Sequence, residues 1–280
     1  MTDNNDEFRF VSLLALELDN GDISLPSLPD VVMKIRKLLE DENSDFDQIS
    51  RAVSMDPALV SKLFVYANSA FYNRANIKIE DLDTAISRLG IEVVRNTAMS
   101  MAMKQLYSAE KHSHADKFLR AVWARGMKLS CMAYAVSRIS PTTNDENAFL
   151  CGLLNEVGKL YIITKAGEFP GLLGDRESFD AVLEKWNSQI AKSIIESWGF
   201  PDGIAESACP DSYLNQDPDS QVDYVDIVYI AKYLVDNDRN DAIDLAEDPT
   251  CAKLKISDNK LATILSGYRD KLKTMQQSLA

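Results

Sequence analysis

Apolar residues recur at three/four spacing along almost the whole chain. Val32, Ile35 and Leu39 form one set, Leu59, Leu63, Tyr66 and Ala67 a second. Phe179, Val182, Leu183, Trp186 and Ile190 form a third, and Leu261, Ile264, Leu265, Tyr268 and Leu272 a fourth. Each set is one buried stripe of a 3.6-residue helix, whereas a half-buried strand needs alternation with period two. Met99-Ser100-Met101-Ala102-Met103 does alternate, but Leu89, Val94, Thr97, Ala98 and Met101 around it fit a helix, and no turn signal offers it a second strand. The spacing predicts an all-α fold.

Punctuation supports the helices. Asp56 before Pro57 supplies an N-cap oxygen followed by a residue with no amide to satisfy, and Ser44 with Asp47 has the form of a capping box. Pro29, Pro141 and Pro201 fall near helix edges. Two polar stretches break the apolar pattern, residues 108–117 as a connector between lobes and residues 210–223 as an exposed loop. The expected organisation is an N-terminal helical extension (1–24), an N-terminal lobe (25–110), a C-terminal lobe (111–235) and a C-terminal helical extension (236–280). The helices of that last extension are expected to pack on the C-terminal lobe.

Composition excludes several classes of function. At 280 residues and 46% hydrophobic, the chain is long enough to bury a sizeable core without staples. Cys131, Cys151, Cys209 and Cys251 lie far apart with no CxxC pair, so neither a zinc site nor a disulfide framework is implied, and a reducing compartment fits. The apolar run from Phe8 to Leu18 is interrupted by Arg9 and Glu17 and preceded by acids, unlike a signal peptide. No stretch approaches the ~18 uninterrupted apolar residues of a membrane span. The chain therefore reads as cytoplasmic, with no membrane partner. A formal charge of −13 repels phosphate backbones, which speaks against nucleic acid.

Local catalytic motifs are absent. His112 and His114, the two histidines of the chain, sit in the polar connector without a third ligand and are read as solvated. The segment from Gly152 to Lys159 has five residues between its glycines, and Leu160 stands where a P-loop needs a hydroxyl; it reads as buried helix. The acid pairs Glu40/Asp41 and Asp217/Asp219 lie in polar surroundings that suit solvated surface.

A set of blocks in fixed order carries a family resemblance. These are Leu25-Pro26-Ser27-Leu28-Pro29, Met55-Asp56-Pro57-Ala58-Leu59, Tyr66-Ala67-Asn68-Ser69-Ala70-Phe71-Tyr72 and Ala85-Ile86-Ser87-Arg88-Leu89-Gly90. Trp123, the stretch Gly152 to Leu160, and Trp198-Gly199-Phe200-Pro201 follow. Together they resemble the HDOD family, bacterial domains related to HD-type metal-dependent phosphohydrolases, over about residues 25–235. The resemblance implies two helical lobes, the C-terminal one a degenerate HD-type fold. The Asn68-Ser69-Ala70 stretch is expected to close its helix with side-chain oxygens, and small Ala67 and Ala70 to permit close helix approach.

An HD hydrolase would hold metal with a first histidine, a His-Asp pair and a later aspartate. Where the resemblance places these, the chain has Arg125, then Asn155-Glu156, then Lys232; a further position often held by histidine is Asn187. A dication beside Arg125 and Lys232 meets like charge, so no metal, cofactor or catalytic residue is expected. Glu156 is expected to ion-pair with Arg125 or Lys232 in the space a metal would fill. The resemblance then implies a non-enzymatic signalling module that works by contact with a protein partner. One alternative is a sensor in which Arg125, Asn155, Asn187 and Lys232 bind a phosphate-bearing nucleotide or other anion. Another is a residual metal-dependent phosphohydrolase using Glu156 and further carboxylates that the sequence does not identify.

Overall fold

The structure is a computed structural model that describes residues 3–21, 23, 28–41, 44–108, 115–209, 219–237 and 249–279. Every regular element among them is a helix, as the periodicity requires. No helix among the described residues is long and apolar enough to cross a membrane. His112, His114 and Asp217 lie outside the described residues, as does much of the polar connector and of the 210–223 loop. The chain divides into two units, residues 27–106 with 265–280, and residues 1–26 with 107–264. Each is discontinuous in sequence.

The first unit contains α2 (Asp30–Glu40), α3 (Phe46–Ser54), α4 (Pro57–Ala67), α5 (Leu82–Leu89) and α6 (Ile91–Tyr107) up to Leu106. Helix α3 packs on α2, α4 and α5, and buries Ile49, Ala52 and Val53. Its capping box is one residue later than the Ser44/Asp47 reading: the Asp45 carboxylate accepts from Gln48 N at 2.8 Å, and Gln48 Oε1 accepts from Asp45 N at 3.2 Å. The two side chains together satisfy two orphan amides, which the Ser44/Asp47 pair does not. Asp56 does cap α4, accepting from Ala58 N at 3.0 Å and Leu59 N at 3.1 Å. Gly90, at φ +82°, turns the chain between α5 and α6 in a region glycine occupies without strain, so Leu89 and Val94 belong to two helices.

The Asn68 block works differently from expectation. Asn68 Nδ2 donates to Phe64 O and Ile79 O while Oδ1 accepts from Ile79 N at 2.9 Å, so the side chain clasps the segment before α5. Ser69 Oγ donates to Tyr66 O at 2.7 Å. Ala67 is fully buried, but Ala70 is exposed and mediates no close approach.

The last helix, α15 (Asp258–Leu279), contributes residues from Leu265 onward to this same unit. Its buried Lys271 donates to Tyr72 Oη at 2.9 Å and lies 5.8 Å from the Phe71 ring centre. Tyr66 Oη meets Met275 Sδ at 2.6 Å. The end of the tail therefore belongs with the first unit, whereas the sequence reading places it on the C-terminal lobe. The stripe predicted burial; nothing in it specified the partner.

The second unit holds α1 (Asp3–Asn20), α7 (Asp116–Ser137), α8 (Asp145–Leu154), α9 (Val157–Ala166), α10 (Pro170–Gly174), α11 (Arg176–Ser197) and α12 (Asp202–Glu206). It also holds α13 (Tyr224–Asp236), α14 (Pro249–Leu254) and the start of α15. Helix α7 lies along α8 and α13, and α9 lies along α11. Helix α1 packs on α10 and α11, with Phe10 edge-on to Phe169 at 5.2 Å and Glu17 accepting from Lys165 Nζ at 2.7 Å.

Two glycines fix these crossings. A Cβ on Gly152 would lie 2.7 Å from Ser130 Cα on α7, and one on Gly158 would lie 2.2 Å from the Asn187 carbonyl oxygen on α11. Both belong to helices, so the Gly152–Lys159 stretch is a packing device rather than a phosphate loop.

Candidate functional site: a buried ion network at the α8–α9 junction

Helix α8 ends at Leu154 and α9 begins at Val157, so Asn155 and Glu156 form a break inside the core, both 1% exposed. Backbone groups at such a break need partners, because an unpaired buried amide or carbonyl is costly. Asn187, reaching from α11, supplies two: its Nδ2 donates to Asn155 O at 2.9 Å and its Oδ1 accepts from Lys159 N at 3.0 Å. Asn155 Nδ2 donates to Ser207 O at 3.2 Å, and Tyr107 Oη donates to Glu156 O at 3.0 Å. Burial, with the charge of Glu156 adding to it, pushes the Tyr107 pKa well up and keeps the phenol a donor.

This scaffold presents the Glu156 carboxylate to cations from two sides. Arg125 on α7 hydrogen-bonds Glu156 Oε1 through Nη1, and its Nη2 sits 2.8 Å from each carboxylate oxygen of Asp236 on α13. Lys159 Nζ lies 3.1 Å from Glu156 Oε2, within ion-pair distance though not aligned as a hydrogen bond, and bonds Glu184 on α11. Burial works against the Arg125 charge, but Glu156 and Asp236 outweigh it and hold its pKa above the ordinary value. Burial likewise opposes the Glu184 charge, and Lys159 outweighs it, leaving that carboxyl below its usual range.

Of the residues singled out from sequence, Arg125, Asn155, Glu156 and Asn187 meet at this junction. Lys232 on α13 stands nearby without a hydrogen-bond or ion-pair partner among the described residues. Its pKa is lowered, chiefly by burial, with Glu156 and Glu184 opposing and Arg125 reinforcing the shift. The second cation on Glu156 is Lys159 instead. Lys159, Glu184 and Asp236 were not singled out. The one local signal for them was the spacing of Glu156 and Lys159, three apart across a helix start.

Three cations thus face three carboxylates. A divalent ion does not fit this donor set: the buried carboxylate has cations on both oxygens, and the other two carboxylates, Asp236 and Glu184, are each paired with Arg125 or Lys159. No group of three or more His, Cys, Asp or Glu among the described residues is arranged to hold a metal.

Comparison with known proteins agrees on the architecture. A Shewanella amazonensis SB2B structure, named for an inferred metal-dependent phosphohydrolase activity, superposes with a TM-score of 0.79 at 22% identity, covering 96% of this chain and 99% of that one. An HDOD domain protein of unknown function from Geobacter sulfurreducens gives 0.71 at 18% identity, covering 95% and 97%. A structure from Marinobacter aquaeolei VT8, named for an inferred signal-transduction role, gives 0.65 at 21% identity, covering 99% of this chain and 66% of that one. An uncharacterised protein of Treponema pallidum (strain Nichols) is 21% identical over 196 residues, 64% of this chain. The match spans 36% of that relative's length. At these identities the superpositions establish the fold, two helical units with an HD-like C-terminal one. The model of the HDOD domain matches residues 25–209, from before α2 to the end of the α12 turn and across the whole Asn155–Glu156 junction, and by that match the chain belongs to the HDOD domain family.

Proposed function

We propose that this chain is a non-enzymatic regulatory module that acts through contact with a protein partner. The observation that carries the reading is the ion network around Glu156. A hydrolytic metal needs several anionic or imidazole donors free to ligate it. Here the one carboxylate buried at the junction is already neutralised by Arg125 and Lys159. Membership of the HDOD family and the signal-transduction role inferred for the Marinobacter structure fit a regulatory role.

The network gives such a module a rigid centre. It ties α7, the α8–α9 junction, α11 and α13 through ion pairs and hydrogen bonds instead of through a metal. Removing the buried member, Glu156, leaves Arg125 and Lys159 as facing cations, which favours a single arrangement of these helices.

The test is hydrolysis of p-nitrophenyl phosphate and of cyclic nucleotides by the purified full chain with manganese, magnesium or iron supplied. No turnover above that of Glu156→Gln is expected. Metal-dependent turnover that disappears in Glu156→Gln would overturn the reading in favour of a phosphohydrolase.

A further inference from the structure

A cavity of about 240 Å³ opens between α13 and the α8–α9 junction, lined by Asn155, Val225, Val228, Tyr229, Lys232 and Asp236 among others. Two of its lining residues carry a polar group without a hydrogen-bond partner among the described residues. Asn155 is 1% exposed, and its Oδ1 has no hydrogen-bond partner although its Nδ2 is engaged. Lys232 carries an ammonium with no hydrogen-bond or ion-pair partner among the described residues. An unmade hydrogen bond on a buried group such as Asn155 Oδ1 is costly, and an ammonium at a cavity without a protein partner can take an anionic one.

The charge balance narrows the ligand. Arg125 and Lys159 together hold Glu156, Asp236 and Glu184, and Lys232 brings the group to neutrality. A lone anion on Lys232 would leave the cluster net negative, and a lone cation net positive. A group carrying both charges leaves it neutral. Asp236 is half exposed at the cavity rim, with room to accept beyond its bonds to Arg125. The remaining wall is aliphatic and aromatic. The volume lies below the range of roughly 300–1,000 Å³ usual for drug-sized ligands. Arg125, the residue best suited to phosphate, is committed to two carboxylates. A nucleotide is therefore a poor match.

We infer that this cavity binds a small zwitterion of the α-amino-acid type, its carboxylate on Lys232, its ammonium on Asp236, and a short apolar side chain against Val225, Val228 and Tyr229. The site goes beyond the regulatory reading above and stands or falls separately, because it requires neither a protein partner nor the absence of catalysis.

Calorimetric titration of the full chain with L-valine, isobutyrate, isobutylamine and inorganic phosphate tests it. Saturable one-to-one binding of L-valine is expected, with a dissociation constant below about 1 mM. Binding should weaken at least tenfold in Lys232→Gln, and isobutyrate, isobutylamine and phosphate should bind at least tenfold more weakly than L-valine. A melting curve of Lys232→Gln shows that the variant is folded. An unfolded Lys232→Gln leaves the wild-type selectivity among the four probes as the deciding measurement. The inference is overturned if none of the four binds, if phosphate or isobutyrate binds as well as L-valine, or if a folded Lys232→Gln binds L-valine unchanged.

Discussion

Gly158 and Asn187 touch so closely that a Cβ on the glycine would lie 2.2 Å from the Asn187 carbonyl oxygen and 2.9 Å from its Oδ1. That contact brings α9 against α11 and lets Asn187 reach both sides of the α8–α9 break. Gly158→Ala must push the two backbones apart, and overpacking of this kind costs about 1–3 kcal/mol. Denaturant unfolding of Gly158→Ala should show a loss at or above the top of that range, since the clashing atom is backbone. A loss below about 0.5 kcal/mol would mean that the helices are not held at this spacing.

Glu156→Ala leaves Arg125 and Lys159 facing each other without the buried carboxylate that separates them. Stranding one side of a buried ion pair costs about 3–5 kcal/mol. Chemical denaturation of the variant should show a loss of that size, and an unchanged melting curve would contradict the network. In Arg125→Ala the buried Glu156 keeps Lys159 and the released Asp236 is half exposed, so this variant should cost less than Glu156→Ala.

Lys232 should behave in the opposite sense. Burial lowers its pKa in the folded chain, so between that value and the ordinary lysine value the unfolded state binds the extra proton. Stability from this group falls as pH drops from the ordinary lysine range through the folded pKa, and the penalty is complete below it. Lys232→Met should therefore raise Tm at neutral pH, and the gain should shrink as the pH is raised towards that of free lysine. A lower Tm at neutral pH, or a gain independent of pH, would contradict the placement of this ammonium.

Met275 is 4% exposed and receives the Tyr66 hydroxyl at 2.6 Å. Met275→Ala opens a cavity against α4, and such truncations cost about 2–5 kcal/mol. Hydrogen exchange should show faster amide opening in α3 and α4 of the variant. Exchange there identical to wild type would argue that the end of α15 is not part of this unit.

The fold was legible where structure is local. Asp56-Pro57 announces the start of α4 because capping involves neighbours in sequence, and Leu59, Leu63, Tyr66 and Ala67 give its buried face directly. Even the misplaced capping box lay one residue from the true one. The site was legible only through positions that match a family motif, which is how Arg125, Asn155, Glu156 and Asn187 were found. Asp236 meets Arg125 across 111 positions and Glu184 meets Lys159 across 25, and such pairs leave no mark on local periodicity. Glu184 lies on the exposed side of an ordinary amphipathic helix, and Lys159 ends the Gly152–Lys159 stretch, which read as buried helix.

The account rests on Glu156 being neutralised by protein cations in place of a metal. Elemental analysis of untagged full-length protein, expressed with iron, manganese, zinc and nickel supplied, measures this directly. A metal-to-chain ratio near zero, unchanged in Arg125→Ala, is the expected result. A ratio near one or two that falls in Glu156→Gln would show that the junction binds metal, and would contradict the account.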